Sequence, residues 1–281
     1  MIKVNNEEIQ FETFPNGETR MLAENLLELI GKNNNLVVDF KYESDSDLIK
    51  LMFVKKYIER QHSGVTHLKI YYMPYSRMDR SENESPFTLK YVSDFINGLN
   101  FYTVEVIEPH SDVTCALLNN TDANYINFNL IDKIKEDTSF IEDVDYIVFP
   151  DTGASKRYAN MSAKNVLVGH KHRNFKTGEI EKLELIGNIN HHGTKAIIVD
   201  DLSSYGGTFV RTAIELKKLG IEEVYLLVAH AENSIFKGEL FDHMTKVYTT
   251  DTILSEQNHW QNKKFENQLH IFEIEGVDDN E

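Results

Sequence analysis

Cysteine is almost missing from this chain: Cys115 is the only one in 281 residues. That excludes a disulfide framework and a cysteine-based metal cluster, and leaves the thiol the role of a small buried hydrophobe. Long apolar runs are missing as well. The longest are a few residues, no charged segment leading into an apolar one opens the chain, and nothing approaches a membrane span. The expected setting is the cytoplasm, without a membrane partner. An excess of basic charge is the third absence. Forty-five acids against 29 bases leave a net charge of -16, which argues against a nucleic-acid surface and for a soluble, self-repelling exterior. Any anion site must then be local, and bases cluster in "YSRMDR" (75–80) and "HKHRNFK" (170–176).

What is present is a recurrence of short runs rich in Val, Ile and Tyr: "NLVVDF", "HLKIYYMPY", "FYTVEVIEP", "DYIVFPD", "NVLVGH", "KAIIVDD", "EVYLLVAH", "KVYTTD" and "QLHIFEI". Their composition and length predict buried strands. Helix-period segments lie between several of them. In "DSDLIKLMFVKKYIERQ", Leu48, Leu51, Met52 and Ile58 recur at helical spacing behind caps expected at residues 44–46. Such alternation predicts an α/β protein with mostly parallel sheets, whose ligands lie at the carboxyl ends of the strands. The length suits two domains. The polar interval "KIKEDTSFIEDVD" (133–145) places their boundary near 138/139, giving domains 1–138 and 139–281, and the last residues, "EGVDDNE", are expected to form a disordered acidic tail.

One stretch carries chemistry. In "IIVDDLSSYGGTF" (197–209), Asp200 and Asp201 follow an apolar run, and Gly206 and Gly207 precede Thr208, the expected cap of the amphipathic segment 208–220. Glycines permit close ligand approach, and a helix N-terminus forms a nest for an anion. Adjacent carboxylates accept hydrogen bonds from vicinal hydroxyls such as those of a ribose. A phosphorylated sugar satisfies both halves of this turn. No Lys follows the glycines as in a Walker loop, and the dinucleotide fingerprint is absent.

"VDDLSSYGGT" resembles the phosphoribosyl-pyrophosphate (PRPP) loop of type I phosphoribosyltransferases and of ribose-phosphate pyrophosphokinases. "FPNGE" (14–18), "YMPYSRMDR" (72–80), "EPHSD" (108–112), "FPDTGASKR" (149–157) and "HKHR" (170–173) resemble the pyrophosphokinases specifically, in that family's order and over most of the chain. The resemblance implies two tandem phosphoribosyltransferase-like domains, an ATP-contacting one followed by one bearing the ribose-phosphate loop. It also implies transfer of diphosphate from ATP to the anomeric hydroxyl of ribose 5-phosphate, with magnesium present and AMP released. Lys171 and Arg173 match the catalytic basic pair. Phe14, Asn16, Glu18, Arg77, Asp79 and His110 match ATP contacts, His110 also meeting a magnesium and Asp151 lying near a second one. Asp151, Thr152, Gly153, Ala154 and Lys156, or Arg157 in its place, match the diphosphate loop. Asp200, Asp201, Ser203, Ser204, Tyr205, Gly206, Gly207 and Thr208 match the ribose-phosphate loop. Because the "FPNGE" match reaches a neighbouring subunit in the family, a homo-oligomer with shared active sites is implied.

The chain departs from the family pattern in places. Ser204 and Tyr205 stand where the family has Asp and Thr, removing a carboxylate and a phosphate-binding hydroxyl and opening the way to a larger acceptor such as ADP-ribose, a substrate from NAD metabolism. Asn16 replaces an Asp. "RSENESPFT" (80–88) is shorter and more acidic than its counterpart, so weak or absent regulation by phosphate and ADP is expected, and the usual final helix is missing. Two rival readings use the same loop: a phosphoribosyltransferase that consumes PRPP, and a non-catalytic partner that keeps the fold.

Overall fold

A computed structural model describes residues 1–82, 84–173, 180–189, 193–254 and 263–274. Contacts divide the chain into two units, Met1–Tyr125 and Ile126–Glu281. In the first unit, β1 (Ile2–Val4), β2 (Glu7–Glu8) and a small hairpin of β3 (Phe11–Thr13) and β4 (Thr19–Met21) precede α1 (Glu24–Lys32), β5 (Asn35–Phe40), α2 (Ser46–Gln61), β6 (Val65–Ile70), α3 (Thr88–Asn97), β7 (Val104–Ile107), α4 (Asp112–Leu117) and β8 (Thr121–Asn124). The sheet order is β2-β1-β5-β6-β7-β8, with β5 to β8 parallel and β1 antiparallel to both of its neighbours. Leu36, Val38 and Phe40 of β5 pack with Leu51, Val54 and Ile58 of α2 and Leu68 and Ile70 of β6. The apolar spacing that predicts strand and helix therefore also supplies the core.

Helix α2 begins where its sequence predicts, although the serines are not what caps it. The Asp47 carboxylate accepts from the Glu43 and Ser44 amides at 3.0 and 2.8 Å and from Lys50 Nζ at 2.7 Å. Burial opposes its ionisation, but those donors prevail and hold its pKa below the ordinary value. A depressed carboxyl stabilises the fold above its unfolded pKa, and the contribution disappears as pH falls through the folded one. Asp47→Ala is therefore expected to cost about 1–3 kcal/mol at neutral pH. Urea unfolding should show the difference from wild type narrowing as the pH is lowered below the carboxylate range.

The second unit runs α5 (Asn127–Asp137), β9 (Tyr146–Phe149), α6 (Thr152–Arg157), β10 (Val166–Arg173), β11 (Ile180–Gly187), β12 (Lys195–Ser203), α7 (Gly207–Lys218), β13 (Glu223–Ala231), α8 (Leu240–His243), β14 (Lys246–Thr250) and β15 (Leu269–Phe272). Its sheet order is β11-β10-β9-β12-β13-β14-β15, parallel except for the β10–β11 edge hairpin. All of β9 and nearly all of β13 are buried, as continuous apolar runs in parallel sheets require. All nine apolar runs of the sequence thus coincide with strands. The polar interval 133–145 is part of this unit. Leu130, Ile131 and Ile134 are buried on α5, and the Asp145 carboxylate accepts from the Ile141, Thr194 and Lys195 amides at 2.8, 3.2 and 3.1 Å. A stretch that looks like a linker by composition is hydrogen-bonded to the entry of β12.

Among the described residues no helix is long and apolar enough to cross a membrane. Cys115 is a half-buried free thiol, its pKa raised by burial and by Asp112 and Asp122.

Candidate active site

In the second unit, the parallel strands β9 and β12 lie side by side, and the predicted loop residues are at and beyond their carboxyl-terminal ends. Strand β12 continues through both acids to Ser203. The Arg157 guanidinium, from the last turn of α6, donates through Nη1 to Asp201 Oδ1 at 2.7 Å and to Asp200 Oδ1 at 3.4 Å. The three side chains are 5 to 16% exposed. Burial, then the charge of Asp201, with a smaller push from Asp151, drives the Asp200 carboxyl well above its ordinary pKa, and Arg157 opposes the rise. Arg157 therefore acts here as the counterion of the twin acids.

Beyond them, Gly206 sits at φ +78° and forms the N-cap of α7. Its conformation demands glycine, and an added Cβ would lie 2.8 Å from Leu240 Cδ1. Gly207 is the first helical residue, with no described atom within 4 Å of where a Cβ would be. The first amides of a helix lack intrahelical acceptors, so this end of α7 suits an anion. Thr208, predicted as the cap, lies inside the helix, because Gly206 makes the turn two residues earlier. Tyr205 is 61% exposed. Ser203 is buried, and Ser204 Oγ lies 3.0 Å from Ser234 Oγ.

Asp151 follows β9 and caps α6, its Oδ1 accepting from the Ala154 amide at 3.0 Å. Thr152, Gly153 and Lys156 are exposed on this short helix and Ala154 is buried. The Pro150 carbonyl, just before the cap, faces Gly169 of β10, where a Cβ would come within 2.4 Å of it. Gly169 thus lets the chain just before Asp151 lie against the strand carrying the basic pair. Lys171 and Arg173 are on β10 itself, opposite Leu183 and Ile180 of β11. The pair sits on a hairpin arm and not in a loop. Its side chains, residues 174–179 and His191 and His192 lie outside the described residues.

In the first unit, Phe14, Asn16 and Glu18 form the tip joining β3 to β4. Phe14 N donates to Glu18 O at 2.8 Å, Glu18 N to Asn16 Oδ1 at 3.2 Å, and Gly17 turns the chain at φ +89°. The Phe14 ring is 48% exposed at this tip. Arg77 is exposed, whereas Asp79 is buried. Arg80 grips Asp79 with two bonds, Nε to Oδ1 at 2.7 Å and Nη2 to Oδ2 at 3.1 Å. Burial works against the Asp79 charge, but Arg80, Ser111 and the nearby His110 hold its pKa below the ordinary value. Asp79, His110 and the Ser111 cap of α4 are therefore neighbours at the carboxyl end of this sheet. Among the described residues, no group of three His, Cys, Asp or Glu side chains is arranged to hold a metal.

Sequence reasoning missed Arg80, the pairing of Arg157 with the twin acids, and Ser234. Only the parallel register of β12 on β13, Ser203 opposite Ala231, could have brought Ser234 to the loop.

No protein-family profile matches the sequence. The chain is 24% identical over 252 residues to the ribose-phosphate pyrophosphokinase of Thermoplasma volcanium, covering 86% of this chain and 82% of that protein. It is 26% identical over 262 residues to the ribose-phosphate pyrophosphokinase of Pyrococcus furiosus, covering 88% of each. The crystal structure of phosphoribosylpyrophosphate synthetase from Mycobacterium smegmatis superposes with a TM-score of 0.74 at 17% identity, over 96% of this chain and 87% of that one. The α/β fold is therefore that of phosphoribosylpyrophosphate synthetase.

Proposed function

We propose that the chain, 24 and 26% identical to two ribose-phosphate pyrophosphokinases over most of its length, is a divergent member of that family and transfers the β,γ-diphosphate of ATP to the anomeric hydroxyl of ribose 5-phosphate, releasing AMP. The observation that carries this reading is the turn 200–208. It sets two acids, acceptors for vicinal hydroxyls, at the end of β12 and, after a short turn, a left-handed glycine and a helix N-terminus suited to a phosphate. Diphosphoryl transfer needs positioning and charge compensation rather than a covalent enzyme intermediate. Lys171 and Arg173 supply positive charge to the transferred group and the departing α-phosphate. The 151–156 loop holds the diphosphate, and Arg77, Asp79 and His110 serve ATP. The hairpin tip of Phe14, Asn16 and Glu18 serves the adenosine of a neighbouring copy in a homo-oligomer.

Magnesium fits this donor set in a limited way. It keeps several waters and needs only one or two protein carboxylates beside substrate phosphates. The crowding of Asp151 on Asp200 and Asp201 that raises the Asp200 pKa is a local excess of negative charge that a cation relieves. By the family match Asp151 would meet one magnesium and His110 a different one, and the chemistry supplied would be neutralisation of phosphate oxygens.

A second reading rests on Tyr205, whose exposed ring beside the head of α7 gives a surface for a group attached to the 5-phosphate. ADP-ribose carries such a group and a free anomeric hydroxyl. The protein, incubated with ATP, magnesium and either acceptor, is expected to yield AMP and diphosphorylated sugar in equal amounts by mass spectrometry. The acceptor consumed decides between the readings, and ADP as product would refute both.

A further inference from the structure

Position 204 lies in the middle of the sugar-binding turn, and what its hydroxyl can offer a ligand is set by two residues just beyond the next strand. Strands β12 and β13 run parallel with Ser203 opposite Ala231, and the Glu232 amide donates to Ser203 O at 2.9 Å. The two strand exits are thereby held together. Ser234 Oγ donates to Glu232 Oε2 at 3.3 Å and lies 3.0 Å from Ser204 Oγ. A carboxylate only accepts, and a hydroxyl has one proton. Ser234 gives its proton to Glu232, so the Ser204 to Ser234 bond must use the proton of Ser204. Ser204 Oγ then has only lone pairs left.

We propose that Glu232 and Ser234 form a polarity relay that makes Ser204 a hydrogen-bond acceptor toward the bound substrate, so that the group it meets is a sugar hydroxyl and not a phosphate oxygen. Two acceptors facing each other repel, so a phosphate oxygen, ether or deoxy position at Ser204 leaves that oxygen unsatisfied. The relay does through two hydroxyls what a carboxylate at position 204 would do directly. Glu232 and Ser234 are positioning residues in this scheme and Ser204 is a specificity residue. The inference rests on the proposed ribose 5-phosphate site and narrows its substrate class to sugars with a free hydroxyl at that point.

The test compares ribose 5-phosphate with its 2-deoxy and 3-deoxy analogues in wild type, Ser234→Ala and Glu232→Gln. Gln can donate to Ser234 and so permits the relay to reverse. Both variants are expected to raise KM for ribose 5-phosphate by about 3- to 10-fold, the worth of one hydrogen bond, with kcat within about twofold, and to shrink discrimination against one deoxy analogue by the same factor. Ser204→Asp in the Ser234→Ala background is expected to restore both, which repair of a packing defect would not do. Urea midpoints of all variants monitor folding. Wild-type values of KM and discrimination in Ser234→Ala and Glu232→Gln would overturn the relay alone. Wild-type protein that neither binds nor converts any of these sugar phosphates would overturn the underlying reading, and the relay with it.

Discussion

Lys171→Ala is expected to lower kcat by about 10²- to 10³-fold, the usual loss when one preorganised charge partner of a transition state is removed, while KM for ribose 5-phosphate stays within a few-fold. The separation follows from where charge develops. In the proposed reaction the turn 200–208 on β12 and α7 would grip the sugar, whereas Lys171 belongs to β10 and would act on the diphosphate as it leaves the α-phosphate. Its backbone pairs with Leu183 across the β10–β11 hairpin, and alanine preserves that pairing, so circular dichroism and the urea midpoint should hardly change. Arg173→Ala is expected to show the same pattern. Rapid-quench measurement of AMP release is the direct readout. Wild-type kcat in Lys171→Ala would remove the residue from the mechanism, and a large rise in KM alone would reassign it to binding.

The second large effect is expected of Arg157→Ala. Breaking a buried ion pair leaves an uncompensated charge and typically costs about 3–5 kcal/mol, and here Asp201, the nearer partner, loses its counterion. With Arg157 12% exposed and Asp201 5% exposed, solvent offers little relief. Urea unfolding at neutral pH should register this loss. Calorimetry with ribose 5-phosphate should show weakened binding, because the two acids no longer hold one geometry. Arg157→Lys keeps the charge but loses the planar guanidinium whose Nη1 reaches both acids, and should fall between alanine and wild type. Wild-type stability and binding in Arg157→Ala would show that water compensates the pair and that the counterion role is mistaken.

These two residues also show how much of the site was legible in the sequence. Apolar runs ending in acids or glycines mark the strands and their ligand-facing ends, since burial on both faces of a parallel sheet leaves a continuous imprint of Val and Ile. The twin acids and the Gly206 turn are legible for the same reason. What escaped depends on contacts between distant residues. Arg157 resembles a diphosphate-loop base, yet α6 carries its guanidinium to β12. Ser204 looks like a lost carboxylate until the register of β12 on β13 brings Glu232 and Ser234 beside it. Strand β8, "TDAN", lacks any apolar pattern because it is a polar edge strand. Asp145 looks like linker composition, although its carboxylate caps three amides. Charge and composition mark a polar residue, but its partner is fixed only by the fold.

The central claim is that the β- and γ-phosphates of ATP move together to a sugar hydroxyl. Two parallel reactions with ribose 5-phosphate and magnesium, one with ATP radiolabelled at the β-phosphorus and one at the γ-phosphorus, followed by separation of the sugar product, test it most directly. Equal label from both positions in the sugar, with unlabelled AMP, is the predicted result. Label from the γ-position alone, with the β-label retained in ADP, would contradict it.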